Sequence, residues 1–185
     1  MSWRVTYSKA LRSSISAVSK STGTISANTL MKASGRIELR DNDGTIVRLG
    51  TGAEFEIKDS PFGNRPEYFG PVYISKKGGC GKYRTSCWLA AANPLSERPD
   101  VFMKPSGQPD VDEFYAISGD VVIYEIDEES KTFTICTVHE GEKALITYDS
   151  KADKMRNRYK AKVFPYTDSE YDYVLKEFID RRNWT

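Results

Sequence analysis

Between residues 35 and 57 the sequence alternates apolar and charged side chains, and it breaks at Asp43-Gly44 and at Gly50-Thr51-Gly52. A β-strand sends successive side chains to opposite faces, so the alternation predicts three short strands with one face buried and the other in water. Asp43-Gly44 is typical of a tight hairpin, and the later glycines favour a second turn or a bulge. The side chains predicted to point inwards all carry odd numbers: Ile37, Leu39, Val47, Leu49, Ala53, Phe55 and Ile57.

A second regular block, residues 112–149, repeats this layout of strands, an acidic turn and a glycine turn. Asp127–Ser130 corresponds to Asp41–Gly44, and Glu140-Gly141-Glu142 corresponds to the glycine turn of the first block. Residues 121–124 are apolar at every position, which predicts a strand covered on both faces. We therefore expect the second block to lie deeper in the core than the first.

The segment between the blocks is rich in proline. Residues 58–69 are predicted to form a loop, and residues 70–79 a strand that ends in a turn. Prolines at 94, 99, 105 and 109 exclude a helix interior or a central strand through most of the segment 93–110. We expect a long connection there, with a brief extended piece at residues 100–103, and we expect it to form the contact surface for a partner. The candidate partner-binding residues are Phe102, Met103 and Tyr115.

The two ends of the chain differ in character from the blocks. Residues 1–32 are expected to be an N-terminal extension in which residues 10–18 form a short helix. Residues 150–185 are expected to pack on the β domain as a basic segment followed by an amphipathic helix. Thr167–Glu170 has the form of a capping box at the start of this helix. Its apolar stripe, predicted to cover the open side of the sheet, comprises Tyr171, Val174, Leu175, Phe178 and Ile179.

The basic segment 151–162 supports an alternative hypothesis, because cations that flank an aromatic ring are typical of single-strand nucleic-acid binding. A solvated helix or loop face explains the same residues and is favoured here. The 27 basic and 26 acidic side chains give the whole chain no field that attracts polyanions, so any such attraction must be local. The residues that this hypothesis assigns to nucleic acid are Lys154, Arg156, Arg158, Tyr159 and Lys160.

Catalytic chemistry has little support in the sequence. His139 is the only histidine, and on a strand it would point away from Cys136, so we interpret it as a surface residue beside a turn. The three cysteines are predicted to be reduced, partly buried thiols; the alternative is a disulfide between Cys80 and Cys87. We expect no catalytic residue, metal or cofactor, and a cupin-like enzyme that binds a small ligand near His139 remains a third hypothesis.

One set of turn and strand positions carries a family resemblance: Gly35, Asp43, Gly44, Leu49, Gly52, Phe55, Gly70, Val72, Arg84, Thr85, Gly119, Val121, Gly141 and Glu142. In this order they resemble a FecR-like domain over about residues 33–149. The resemblance implies an all-β bacterial module that senses signals or binds proteins, and it supplies no catalytic residue. No apolar run is long enough for a membrane span or an export signal. The chain as given is thus expected in the cytoplasm, and the resemblance implies the periplasm or the cell surface.

With 39% apolar and 29% charged residues, the chain is typical of a globular domain. The predicted fold is all-β: a sandwich or short β-helix of about ten strands, closed by the C-terminal helix. The predicted function is non-enzymatic binding of a protein or glycan partner. Nucleic-acid binding or phage assembly through the basic segment is the alternative.

Overall fold

In its computed structural model, the protein is an all-β sandwich of two sheets. The structure describes residues 3–8, 25, 27–28, 30–58, 65–76, 79–83, 88–91, 99–126, 131–154 and 157–184. The strands of the larger sheet are β1 (Trp3–Ser8), β3 (Ile37–Asp41), β4 (Ile46–Leu49), β7 (Val72–Ser75), β10 (Asp100–Pro105), β11 (Val111–Ser118), β14 (Glu142–Tyr148) and β15 (Tyr159–Pro165). The strands of the smaller sheet are β2 (Met31–Lys32), β5 (Glu54–Lys58), β6 (Arg65–Phe69), β8 (Gly79–Tyr83), β9 (Trp88–Ala91), β12 (Val121–Ile126) and β13 (Thr132–Val138).

Both sheets follow the order of the chain. The eight-stranded sheet runs β1-β3-β4-β7-β10-β11-β14-β15, and the seven-stranded sheet runs β2-β5-β6-β8-β9-β12-β13. All neighbouring strands are antiparallel except β6 and β8, which are parallel. The chain places a hairpin or a single strand in one sheet and then crosses to the other, so the sandwich is built from one end to the other.

Short glycine turns carry the chain between the sheets. Gly52, Gly70, Gly119 and Gly141 each lie in such a turn and each has a positive φ. At Gly70 a Cβ atom would lie 2.8 Å from Cα of Ala53, so only glycine fits that turn. The layout repeat seen in the sequence is therefore this succession of hairpins and crossing turns.

The alternation in the first block is confirmed. All seven odd-numbered apolar residues from Ile37 to Ile57 are at most 2% exposed, and they lie in the core between the sheets. Trp3 of β1 packs against Phe55 with their ring centroids 5.3 Å apart. The N-terminal residues 3–8 are thus part of the sandwich instead of an extension, whereas the helix predicted at residues 10–18 lies outside the described residues.

Three predictions about strands need correction. The described residues contain fifteen strands, against the ten expected. The loop predicted at residues 58–69 contains β6, where Pro66 lies outside the part of the strand that pairs with β8. The second block is not the deeper one. Its strand β11 is buried on both faces, as β3 and β4 of the first block are, but β12 is buried only at alternate positions and β13 is mostly partly exposed.

The C-terminal segment covers the outer face of the larger sheet. It consists of α1 (Asp168–Val174), a π-helical turn (Leu175–Ile179) and a 3-10 turn (Arg181–Asn183). The predicted capping box is present, with Thr167 and Glu170 bonded to each other's backbone N–H. The predicted cover over the sheet is confirmed by a second apolar cluster: Tyr73, Phe102, Tyr115, Ile117, Val174, Phe178 and Trp184.

This cover buries polar residues that the alternation had placed in water. Glu38 and Arg48 are 3% and 5% exposed, and Nε of Arg48 donates to Oε2 of Glu38 at 2.8 Å. Nη1 of Arg48 also donates to the carbonyl oxygens of Phe178 and Ile179, which end the π-helical turn. The guanidinium group therefore fastens the C-terminal segment to the sheet.

The predicted apolar stripe of the helix is only partly correct. Val174 and Phe178 are buried, but Tyr171 and Leu175 are 37% and 39% exposed. The π-helical turn that follows Val174 changes the rotation per residue, so a pattern based on 3.6 residues per turn does not extend through it. None of the helices in the described ranges combines the length and apolar character that a bilayer span requires.

Candidate protein-binding edge

Strand β15 forms one edge of the eight-stranded sheet. It pairs with β14 without a register shift, from Glu142 opposite Pro165 to Tyr148 opposite Tyr159. No other strand in the described part of the chain pairs with it. We call this strand the open edge.

The backbone of the open edge is directed outwards at alternate residues. Asp149 N donates to Arg158 O at 2.8 Å, and Tyr166 N donates to Gly141 O at 3.2 Å, so the even-numbered residues bond towards β14. In an antiparallel pair the hydrogen-bonding direction alternates with each residue. The N–H and C=O groups of Ala161 and Val163 therefore point away from the sheet, where an added strand would meet them.

The side chains of the open edge are unusually exposed. Lys162, Val163, Phe164 and Pro165 are exposed in succession. At the opposite edge, β1 alternates between exposed and partly or fully buried side chains, as a strand with one covered face does. The end of β15 is thus uncovered on both faces.

A groove separates the open edge from the edge of the other sheet. Phe133, Thr134, Ile135 and Tyr159 line this cavity of about 260 Å³, which we call the edge groove. The ring of Tyr159 lies 5.3 Å from that of Tyr148 and 6.3 Å from that of Phe133. The groove therefore lies beside the start of the open edge, at Tyr159.

Tyr159 is held in place by a buried carboxylate. Its hydroxyl donates to Oε2 of Glu125 at 2.5 Å, and Glu125 is 6% exposed. The ring and the hydroxyl of this tyrosine are thus both in contact with the protein. Tyr159 therefore supports the wall of the groove.

An aromatic patch continues the open edge towards the C-terminal helix; we define it as Phe164, Tyr166 and Tyr171. The rings of Tyr166 and Tyr171 stack with centroids 6.1 Å apart and planes 3° apart. Nζ of Lys143 lies 5.2 Å from the ring centroid of Phe164 and forms an ion pair with Glu170. Exposed aromatic side chains of this kind are enriched in protein interfaces.

The charge of Glu170 is fixed by its surroundings. Burial raises its pKa, but hydrogen bonds from Lys143 and from the side chain and backbone of Thr167 outweigh the burial and lower the pKa to about 2. The carboxylate therefore stays ionised beside the aromatic patch at neutral pH.

The predicted partner-binding residues lie elsewhere and are buried. Phe102 and Met103 are 0% exposed and Tyr115 is 2% exposed, so the expectation that they form an exposed contact surface is wrong. The extended piece expected at residues 100–103 is present as part of β10, a central strand whose side chains pack into both apolar clusters. The flanking prolines, which suggested a loop, lie at or beyond its ends.

Tyr115 nevertheless lies close to polar groups. With Phe102 and Lys104 it borders a hollow of about 140 Å³ beneath α1. Its hydroxyl donates to the carboxylates of Glu113 and Glu170. Burial and the neighbouring Glu113 raise the pKa of Tyr115, so the phenol stays neutral.

The structure brings together part of the basic segment. Arg158, Tyr159 and Lys160 lie at the start of the open edge, Lys154 lies in an exposed turn, and Arg156 is outside the described residues. The helix or loop face expected here is a strand from residue 159 onwards. Lys160 and Lys162 are exposed and form no ion pair with any residue that the structure describes.

His139 and Cys136 are not hydrogen-bonded to each other. His139 lies on an exposed turn, as predicted, with Nδ1 2.9 Å from Oδ2 of Asp120. This hydrogen bond raises the pKa of the imidazole. Cys136 is a half-buried free thiol, and burial raises its pKa to about 11. Cys87 and the side chain of Cys80 lie outside the described residues. The described His, Cys, Asp and Glu residues include no group of three or more arranged for a metal.

Sequence reasoning missed Val163 and Phe164, the apolar part of the open edge. The signal was the apolar pair that follows the basic run and precedes Pro165. Charged residues and proline are typical of edge strands, where they discourage unwanted pairing.

Neither a family model nor a curated protein matches this chain.

Proposed function

We propose that this protein is a non-enzymatic interaction module that binds an extended segment of a partner protein along the open edge. The observation that carries this proposal is the outward direction of the N–H and C=O groups of Ala161 and Val163. An extended peptide that adds a strand to a sheet gains affinity from main-chain hydrogen bonds and specificity from alternate side chains.

Two features next to the open edge support the proposal. The edge groove supplies apolar contacts on the inner side, and the aromatic patch supplies contacts on the outer side. A row of backbone donors and acceptors matches a polypeptide better than a glycan. The resemblance of residues 33–149 to FecR-like domains implies an interaction role of the same class and, by extension, a role in bacterial sensing.

The test removes one outward N–H group without disturbing the pairing with β14. Val163→Pro deletes a backbone N–H that β14 does not use. Val163→Thr keeps this backbone N–H and has a side chain of similar shape. The probe is an eight-residue peptide that alternates Gln and Val, titrated into the isotope-labelled full chain. We expect the amide resonance of Ala161 to shift with the same half-saturation concentration of peptide in the wild type and in Val163→Thr, and to need a higher concentration in Val163→Pro, which has lost one hydrogen bond.

Equal affinity of Val163→Pro and Val163→Thr for the peptide would contradict strand addition at this edge. The same conclusion would follow if the peptide perturbed β1 or the hollow beneath α1 instead of β15. The spectrum of each variant without peptide reports whether the sheet has remained intact.

A further inference from the structure

We infer that the segment bound at the open edge is acidic, with carboxylates at alternate positions facing Lys160 and Lys162. This inference rests on the proposed function and specifies its partner. The first observation is the charge on the outer face of β15. These two lysines are exposed there, and neither forms an ion pair with a described residue.

The positions of the two lysines define a spacing. Both have even numbers, so their side chains share the outer face of the sheet, two residues apart. Residues directly opposite on an added antiparallel strand would lie with their Cβ atoms about 4.5–5.5 Å from those of the lysines. Opposite charges at such positions stabilise a strand pair and like charges destabilise it. The partner is therefore expected to carry acidic residues at positions i and i+2.

The intervening positions of the partner face a different environment. They share the inner side of the open edge with Ala161 and Val163, and the edge groove lies on this side at the start of the strand, beside Tyr159. Val163 is 37% exposed although it lies on this side. Apolar side chains at these positions would remove that surface from water, so the partner is expected to alternate acidic and apolar residues.

A second copy of the chain fits the edge poorly. Two β15 strands that pair about a two-fold axis centred on Lys162 would bring the two Lys162 side chains opposite each other. An axis centred on Ala161 would set Lys160 opposite Lys162. An axis centred on Val163 would set Lys162 opposite Phe164, and there Ala161 would face Pro165, which offers no N–H. The charge of the edge and Pro165 together disfavour self-pairing, and the charge complements an acidic partner.

A polynucleotide also fits less well. Single-strand binding without sequence preference usually combines cations with aromatic rings on which bases stack. Tyr159, the aromatic residue within the basic segment, is packed against Tyr148 and Phe133 and is hydrogen-bonded to Glu125. The outward backbone groups of β15 match a peptide strand and have no counterpart in a stacked polynucleotide.

The experiment compares three eight-residue peptides on the full chain. Valine alternates with Glu in the first, with Gln in the second and with Lys in the third, and binding is read from the Ala161 amide and from fluorescence anisotropy. We expect the Glu peptide to bind about two- to thirty-fold more tightly than the Gln peptide at low salt, as two favourable cross-strand charge pairs imply. High salt should reduce this preference, because the charges are exposed.

Charge-reversal variants locate the effect. Lys160→Glu/Lys162→Glu should bind the Lys peptide in preference to the Glu peptide. The matched control, Lys151→Glu/Lys154→Glu, changes the net charge by the same amount at exposed positions outside the strand. It should keep the preference of the wild type for the Glu peptide.

Each contrary result has a distinct meaning. Equal binding of the Glu and Gln peptides, with the Ala161 shift retained, would overturn the acidic partner and leave strand addition standing. Failure of every peptide to shift Ala161 would overturn the proposed function itself. An oligothymidylate that binds more tightly than the Glu peptide, and weakens in both charge-reversed variants, would assign the segment to nucleic acid. A dimer in sedimentation that disappears in Val163→Pro would make a second copy the occupant.

Discussion

Arg48 and Glu38 form an ion pair that is buried beneath the C-terminal segment, with Nε and Oε2 2.8 Å apart. Removal of one member of a buried pair leaves the other charge without its partner in a poorly solvated place. Arg48→Met also removes the donor to the carbonyls of Phe178 and Ile179. We expect this variant to lower the free energy of unfolding in urea by about 3–5 kcal/mol.

Arg40→Met is the matched control. Arg40 contacts Oε1 of the same carboxylate at 2.9 Å, but its side chain is 50% exposed. Exposed ion pairs contribute little, so we expect a loss of about 0–1 kcal/mol. Equal losses in the two variants would show that burial does not decide the strength of this pair.

The ion pair between Glu170 and Lys143 should make stability depend on acid pH. The pKa of Glu170 falls from 4.5 to about 2 on folding. Because folding lowers this pKa, the contribution is complete above pH 4.5 and is lost as the pH falls towards 2. In urea titrations, Glu170→Gln should have a lower free energy of unfolding than the wild type. The difference should be largest near pH 6 and should shrink as the pH approaches 2.

Asp172→Asn provides the control for this pH profile. Asp172 is exposed on the same helix, and its replacement changes the net charge equally. If this variant lost the same amount of unfolding free energy with the same pH dependence, the effect would be due to the net charge instead of the pair with Lys143.

Phe102 should behave as a core residue. Its ring lies 4.8 Å from that of Phe178 and 5.6 Å from that of Tyr115, between the sheet and the C-terminal segment. Phe102→Ala should lower the free energy of unfolding by about 3–5 kcal/mol in urea titrations. Tyr173→Ala removes a ring that touches Phe102, but Tyr173 is 47% exposed. This variant should therefore lose much less unfolding free energy than Phe102→Ala. The reverse order would restore Phe102 as a surface residue.

The imidazole of His139 offers a separate titration. Its hydrogen bond to Asp120 raises its pKa above 6.5, so Asp120→Asn should move the pKa back towards that value. The chain contains one histidine, and a single ring resonance therefore reports the titration in a proton spectrum. Glu142→Gln removes a weaker influence on the same ring and should shift the pKa less; an equal shift would contradict the dominant role of Asp120.

The inner faces of the sandwich were predictable because local chemistry determines them. The alternation from Ile37 to Ile57 correctly identified buried side chains, and the positive-φ glycines correctly marked turns. The capping box at Thr167 satisfies backbone donors within one turn, so its sequence signature was sufficient to locate the start of the helix.

The outer face and the edge were not predictable in the same way. Glu38 and Arg48 look like solvated residues in the sequence, and only the distant C-terminal segment makes them buried. Phe102 was assigned to the surface because prolines flank it, although it lies in a central strand. Whether a strand is an edge depends on the order of strands in the sheet, which the pattern of a single strand such as β15 does not encode.

The strict chain order of both sheets has a consequence for synthesis on the ribosome. Each new strand in either sheet, as it emerges, finds its upstream neighbour already made, so pairing can advance in the direction of translation. Strand β15 completes the larger sheet last, and the C-terminal segment that seals Arg48 follows it. The nascent chain would therefore gain its stabilising cover and its open edge only after the other strands of both sheets have emerged.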